Sequence, residues 1–295
     1  MSTIQPTASS RSAPTPKRSG ISTGTVMLTI AIVLVIGFSL APILWQVLTS
    51  FKTNAEISAV PNVYFPKQLT LDHYTEIFRR RPFLSYMLNS FFVATVSTLL
   101  CLLLGTPAAY ALARLRVQGE RVLLAIVLIV TLFPYILLFL GLLEIVRALG
   151  LANNYLALIV PYTAMNMPLT ILVMRSFFQQ LPRDLEDSAR VDGYNTGQML
   201  SQILVPMTIP ALITTGILTF ISAWNEFLFA LTFITRESMK TIPVAVAQLS
   251  GTSVFEIPYG PIAAATVIGT LPLVVLVLLF QRRIVQGLTS GAVKG

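Results

Sequence analysis

The sequence predicts an all-α integral membrane protein with six transmembrane helices, and three observations carry that prediction. Of its 295 residues 55% are hydrophobic and 11% are charged, where soluble domains hold roughly a quarter charged. The apolar residues fall into six runs, each near the ~20 residues that a helix needs to cross a hydrocarbon core of about 30 Å. One polar, helix-patterned stretch, residues 182–210 (PRDLEDSARVDGYNTGQMLSQILVPMTIP), stands apart from them. A formal charge of +8 is compatible with nucleic acid, but basic residues collected at the cytoplasmic ends of spans account for the excess. No nucleic-acid partner is expected.

Residues 1–22 are rich in Ser, Thr and Pro and bury too little apolar surface to fold, so they read as a disordered cytoplasmic tail. Arg11, Lys17 and Arg18 precede the first apolar run. That run is too long for a signal-peptide core and lacks a small-residue cleavage site, which makes it an uncleaved first span, about 26–48. Its basic flank places the N-terminus inside. The following loop, about 50–86, is then outside; it carries Tyr64, Phe65, Tyr74 and Phe78, and its Arg79-Arg80-Arg81 cluster runs against the positive-inside rule, which long loops obey weakly. Span two covers about 88–113, and Arg114, Arg116 and Arg121 mark the next loop as cytoplasmic. Span three, about 122–146, is broken by Pro134. Span four, about 156–177, is kinked by Pro161 and Pro168, as membrane helices tolerate when neighbours or a water-filled cavity satisfy the freed carbonyls. Span five covers about 207–234 and span six about 262–280. Gln281-Arg282-Arg283 closes the last span inside, ending a transmembrane domain of 23–283, and 284–295 is a cytoplasmic C-terminal tail.

The polar stretch reads as a helix-turn-helix elbow. Leu185, Ser188, Ala189 and Val191 gather on one side of a short helix, with Asp184, Glu186, Asp187 and Arg190 on the wetter sides. Asp192-Gly193 ends it, because glycine past a helical pattern supplies the positive-φ residue. Asn195 or Thr196 then caps a second helix carrying Met199, Leu200, Ile203 and Leu204. So many charges keep the elbow out of hydrocarbon. Its apolar face is buried against a soluble partner or the protein's own helix ends, and parity of the spans makes its position, 182–206, cytoplasmic.

The residues carry little catalytic chemistry. There is no GxxxxGK[ST] phosphate loop, so ATP hydrolysis belongs to another chain. Neither a spaced carboxylate pair nor a nucleophile with its base is present. Cys101 and His73 are each alone; the first reads as a packing residue and the second as an exposed loop histidine, and no metal site is expected. Glu226 lies within span five, where a charge costs about 2.5–3.5 kcal/mol, so it should face a cavity or a partner. Beside it, Asn225 offers hydrogen bonds and Trp224 an aromatic face on which a sugar ring could stack. The competing reading has Asn225 and Glu226 joining span five to a neighbouring helix. Glu144 and Arg147 read as a local interfacial ion pair.

The elbow resembles the cytoplasmic loop of binding-protein-dependent ABC importer permeases, whose pattern is Glu-Ala-Ala, three residues, Gly, nine residues, Ile, any residue, Leu-Pro. Asp187-Ser188-Ala189 stands for the triplet, Gly193 for the glycine, and Ile203, Val205 and Pro206 for the end. Every spacing fits; Asp for Glu, Ser for Ala and Val for Leu are departures. SFKTNAEI, LNSFFVAT with AYALAR, WNEF and the terminal GLTSGAVKG look like the sugar branch of the family, the MalG-type subunits of maltose, trehalose and glycerol-phosphate importers. The resemblance covers the chain from about residue 23.

It implies a type I importer permease fold in a bacterial inner membrane, with both termini cytoplasmic. The implied partners are a second permease subunit, two ATPase subunits that hold Mg-ATP, an extracytoplasmic sugar-binding protein and the surrounding lipid. By the same resemblance Asp184, Glu186, Asp187, Ser188, Ala189, Asp192, Gly193, Ile203 and Pro206 couple to the ATPase, while Trp224, Asn225 and Glu226 stay, on their polarity within span five, the candidate pathway residues. The C-terminal tail would reach the ATPase interface and residues about 251–258 would touch the binding protein. The solute would be a di- or oligosaccharide, a glycosyl polyol or a glycerol phosphate. An ion-gradient-driven transporter is the alternative; it expects midplane carboxylates, which Glu226 alone supplies weakly. A membrane enzyme or scaffold leaves the elbow unexplained.

Overall fold

The computed structural model describes residues 23–115, 117–249 and 257–292, with side chains as far as Gln281. The tail at 1–22 and most of the segment about 251–258 lie outside the described residues. Among those described there is no strand. The helices in order are α1 (Thr23–Ser50), α2 (Asn54–Ile57), α3 (Asp72–Arg80), α4 (Phe83–Arg114), α5 (Glu120–Leu132), α6 (Phe139–Ala148) and α7 (Leu156–Gln180). They are followed by α8 (Asp184–Val191), α9 (Thr196–Met199), α10 (Val205–Met207), α11 (Ile209–Asn225), α12 (Leu228–Phe233), α13 (Ile242–Leu249) and α14 (Tyr259–Ala292). The chain divides into two units, one ending at Trp45 and one beginning at Gln46. The first is most of α1, an apolar helix whose side chains are exposed from Val26 to Trp45.

Helices α1, α4, α7 and the Tyr259–Gln281 part of α14 are long and apolar enough to cross a membrane. Two bent pairs bring the number to six if each pair is one span. The first is span three, broken where the sequence places the break. At Pro134, α5 gives way to a 3-10 turn (Tyr135–Leu138) and then α6, with an 89° bend. Proline removes an N–H and drives the residue before it out of the helical region; Phe133 has ψ 128°. The second corrects span five. The run Thr196–Met207 meets α11 at 80°, and α11 stops at Asn225, with α12 a separate short helix. The backbone of α14 continues to Ala292, so most of the segment expected as a tail from 284 is helical.

Within the second unit α4 is central, lying against α7 and α11. Membrane helices associate by close approach and by side-chain hydrogen bonds rather than by squeezing out water. Both devices are present. A Cβ on Gly105 would come within 2.6 Å of Thr170 Cγ2, and one on Gly216 within 3.2 Å of Leu102 Cδ1. Ser97 Oγ donates to the Ile159 carbonyl (3.4 Å) and Cys101 Sγ to that of Thr163 (3.1 Å), so Cys101 is a buried packing residue with a weak donor role.

Arg114 marks the elbow end of α4 and Phe83 its far end. At the far end the segment before α13 is pinned onto α4: Asn89 Nδ2 donates to the carbonyls of Ser238 and Lys240 (2.9 Å each), and Ser90 Oγ accepts from Ile242 N (2.8 Å). Glu237 holds Arg81 (3.2 Å) from the cluster that runs against the positive-inside rule, and also bonds Tyr86 and Lys240. Burial would raise the Glu237 carboxyl, but the bonds from Lys240, Tyr86 and Arg81 together hold it below the usual carboxylate range. His73, expected to be an exposed loop residue, is 2% exposed. Its Nε2 donates to the Lys52 carbonyl (2.8 Å), and its ring fills the space left by Gly260, where a Cβ would lie 2.2 Å from Nε2. Glu144 and Arg147 are both exposed, and no ion pair joins them among the described residues.

Candidate functional site: a socketed polar elbow

Two local motifs in immediate succession shape the turn of the elbow. Helix α8 ends in a Schellman motif: Tyr194 N donates to Ala189 O (3.0 Å), Gly193 N donates to Arg190 O (3.1 Å), and Gly193 has φ 83°. A capping box opens α9. Gln198 N donates to Asn195 Oδ1 (2.9 Å) and Asn195 N to Gln198 Oε1 (3.1 Å). The chain then passes through a π-helical turn, Leu200–Leu204, before α10 and the bend at Thr208. The two short helices are therefore joined by satisfied backbone groups rather than by a slack loop.

The inner face of the elbow is seated on helix ends. Ala189, Met199 and Leu204 pack with Ala109 and Tyr110 of α4, Met174 and Phe178 of α7, and Ala211 of α11. Tyr110 meets Phe178 edge-on at 5.6 Å. The amphipathic pattern assigned this face only in part. Ser188 and Val191, expected on the apolar side, point outward, with Val191 88% exposed. Glu186, expected on a wet side, is 6% exposed. Asp184, Asp187, Asp192, Gly193 and Pro206 are exposed and Ile203 is half-buried.

Glu186 is buried because a cation is waiting for it. Arg114 Nε lies 3.2 Å from Glu186 Oε1, the two side chains being 6% and 8% exposed. The same guanidinium donates from Nε and Nη2 to the Phe178 carbonyl (3.0 and 2.6 Å) and from Nη2 to the Leu181 carbonyl. It thereby closes the end of α7, where the Phe178 carbonyl otherwise accepts only a long bond from Leu181 N (3.3 Å). The exchange is reciprocal. Arg175 of α7 donates to the Leu112 carbonyl of α4 (3.2 Å) and to Glu120 of α5 (2.8 Å). Each of α4 and α7 has its end closed by an arginine of the other, and one of those arginines also grips α8.

The other predicted cluster lies at the break after α11. Trp224 is 3% exposed, stacked on Phe220 at 5.7 Å, with Nε1 donating to the Gly269 carbonyl of α14 (3.2 Å). Asn225 is exposed and bonds back to the Ile221 carbonyl (2.9 Å). Glu226 accepts from the amides of Phe229 (2.9 Å) and Ala230 (3.2 Å) at the start of α12, and from the Tyr162 hydroxyl of α7. Glu226 thus caps one helix and bonds another, whereas Asn225 bonds only within its own helix. Among the described residues no group of His, Cys, Asp and Glu could hold a metal ion.

Residues 102–290, which contain the elbow and this cluster, match the profile of the family described as binding-protein-dependent transport system inner membrane component. The chain belongs to this family. The permease is 40% identical to the sulfoquinovosyl glycerol transport system permease protein SmoH of Agrobacterium fabrum, over 96% of this chain and 99% of that one. It is 43% identical to the trehalose transport system permease protein SugB of Mycobacterium tuberculosis (89% and 95%). With the trehalose/maltose transport system permease protein MalG of Thermococcus litoralis it shares 38% identity (92% and 97%). Its fold is that of a chain in the crystal structure of a bacterial ABC transporter involved in import of the polysaccharide alginate: TM-score 0.77 at 23% identity, covering 92% of the permease and 99% of that chain.

Two residues of the permease site escaped the sequence reading. Arg114 counted only as one of a basic group orienting a loop, and Arg175 not at all. Arg175 had a signal: it is a charge five residues inside the end of an apolar helix, where a long cationic side chain is usually held by a carbonyl or a carboxylate.

Proposed function

We propose that this chain is the membrane-spanning subunit of an ATP-driven carbohydrate importer, forming half of the translocation pathway beside a second permease. The observation that carries this reading is the elbow, a rigid polar helix pair seated on the ends of α4, α7 and α11 through Arg114 and Glu186, in a chain of the binding-protein-dependent family. Its outward face, Asp187, Ser188, Val191 and Tyr194, docks on a cytoplasmic ATPase whose Mg-ATP supplies the energy. A push on α8 reaches α7 and α4 together, because one guanidinium holds all three. The spans then alternate between inward- and outward-open arrangements.

The solute class follows from the relatives, whose names give sulfoquinovosyl glycerol, trehalose and maltose: a disaccharide or a glycosyl polyol, delivered by an extracytoplasmic binding protein. One alginate transporter of this fold has been crystallised with its solute-loaded periplasmic protein. Both termini are cytoplasmic in this reading. The experiment is a mild-detergent purification of the chain from its native membrane, with ATPase activity assayed against a panel of sugars and glycosyl glycerols. Recovery of an ATPase, a second permease and a binding protein, with one sugar stimulating hydrolysis, is expected. A chain recovered alone, even after crosslinking at Asp187, returns the weight to a gradient-driven transporter.

A further inference from the structure

Residues 58–71, between α2 and α3, contain no helix, yet their backbone is tied at several points. Lys52, 2% exposed, donates Nζ to the Val63 carbonyl (2.6 Å). Glu56 Oε1 accepts from the amides of Lys67 (2.7 Å) and Gln68 (3.3 Å), and Thr70 N donates to the Phe51 carbonyl (2.9 Å). A segment fixed in this way nevertheless turns its apolar side chains outward: Val60, Phe65, Leu69 and Leu71 are 95%, 75%, 77% and 61% exposed. Apolar side chains so concentrated on a built surface mark a contact with something other than water.

The level of this segment is set by a chain of contacts. Val63 is held by Lys52, the Lys52 carbonyl by His73, and the His73 ring sits on Gly260. Gly260 is the second residue of the apolar Tyr259–Gln281 stretch. The apolar stretch ends where Arg282 and Arg283 begin, and its 23 residues span about 34 Å at 1.5 Å per residue, little more than a hydrocarbon core of about 30 Å. Gly260 therefore marks the edge of that core, and the segment tied to it lies level with the lipid headgroups. Further along the chain, Phe78 of α3 and Leu84 and Leu88 of α4 are also exposed (47%, 60% and 60%), so apolar surface continues from the segment into the span. Lys67 is the one charged side chain between Glu56 and Asp72, and an aromatic and aliphatic surface with a single cation suits a phospholipid interface.

We propose that residues 58–71 form a shelf in the phospholipid headgroup layer, with Val60, Phe65, Leu69 and Leu71 reaching the acyl boundary. The shelf fixes the depth at which α3 and the start of α14 sit, whatever solute the protein carries. The single native cysteine, Cys101, is 0% exposed, so an introduced cysteine can be labelled selectively. Phe65→Cys and, separately, Leu69→Cys would each carry a nitroxide in the purified complex, reconstituted into nanodiscs of phosphatidylethanolamine and phosphatidylglycerol, with the unsubstituted chain as blank. Collisional relaxation by oxygen and by a water-soluble nickel chelate is then compared. Relaxation several-fold stronger with oxygen than with nickel, at both sites, is expected. Relaxation by both quenchers places the segment in water, and protection from both places it under a protein; either outcome overturns the shelf.

Discussion

Gly193 illustrates how a single residue can be required for geometry alone. It has φ 83° and open space where a Cβ would go, so substitution meets no clash, only the cost of a left-handed backbone, about 1–2 kcal/mol for an ordinary residue and less for Asn. Gly193→Val is accordingly expected to lower solute uptake strongly in membranes that still contain normal amounts of the protein, and Gly193→Asn to lower it little. Uptake in proteoliposomes of the assembled complex separates the two. Arg114 and Glu186 are a second residue-scale case. Removing one member of a buried ion pair costs about 3–5 kcal/mol when the other is left unpaired. Arg114→Ala leaves Glu186 without its closest cation and removes the guanidinium bonds to the Phe178 and Leu181 carbonyls, whereas Glu186→Gln leaves Arg114 bonded to both carbonyls. Thermal unfolding in mild detergent should therefore show the larger loss for Arg114→Ala. An equal or reversed order would mean that the bonds to the two carbonyls add nothing to the ion pair in seating the elbow.

At the scale of elements, the elbow divides what local sequence states from what it omits. Its turn is written in adjacent residues: Gly193 for the left-handed position and Asn195 with Gln198 for the box are short-range chemistry, and a glycine or an asparagine at those places has few other uses. The burial of Glu186 is not written there. A helical wheel assigns a carboxylate to water, and the guanidinium that overrides the assignment comes from α4, far away in the sequence. Bends behave similarly. Pro134 announces a break but not its 89°, and nothing short-range in Leu200–Leu204 specifies a π turn. His73 was misplaced because the space that receives it belongs to Gly260.

The far-end clamp on α13 gives the element scale its own prediction. Glu237 has a carboxyl pKa lowered in the folded protein. It contributes stability that is present above the ordinary carboxylate value and is lost as pH falls through the lowered one. Hydrogen exchange at the amides of 237–249 is thus expected to be unchanged by this group between about pH 6 and 8. It should accelerate as the pH drops below the usual carboxylate range, about 4. Glu237→Gln should show the fast exchange already at neutral pH, and exchange in that variant indistinguishable from the parent would remove Glu237 from the clamp.

For the whole molecule, composition and the length of apolar runs were enough to state the membrane class, because a bilayer imposes a length and a polarity that leave few alternatives. The resemblance in the elbow named the family that the profile match then established. What composition could not provide was the central position of α4, which holds α7 by small residues along its length and by exchanged arginines at the elbow end. The proposed path of force, from an ATPase through α8 into α4 and α7, depends on that arrangement and on one face of the elbow being outermost. The most direct measurement is cysteine crosslinking in native membranes, again against the silent background of buried Cys101. Val191→Cys, at a position 88% exposed, is expected to form a specific adduct with an ATPase subunit, and Met199→Cys, at 1% exposed, to form none. Absence of an ATPase adduct at Val191, in membranes where solute uptake persists, would contradict the elbow as the point where the motor engages.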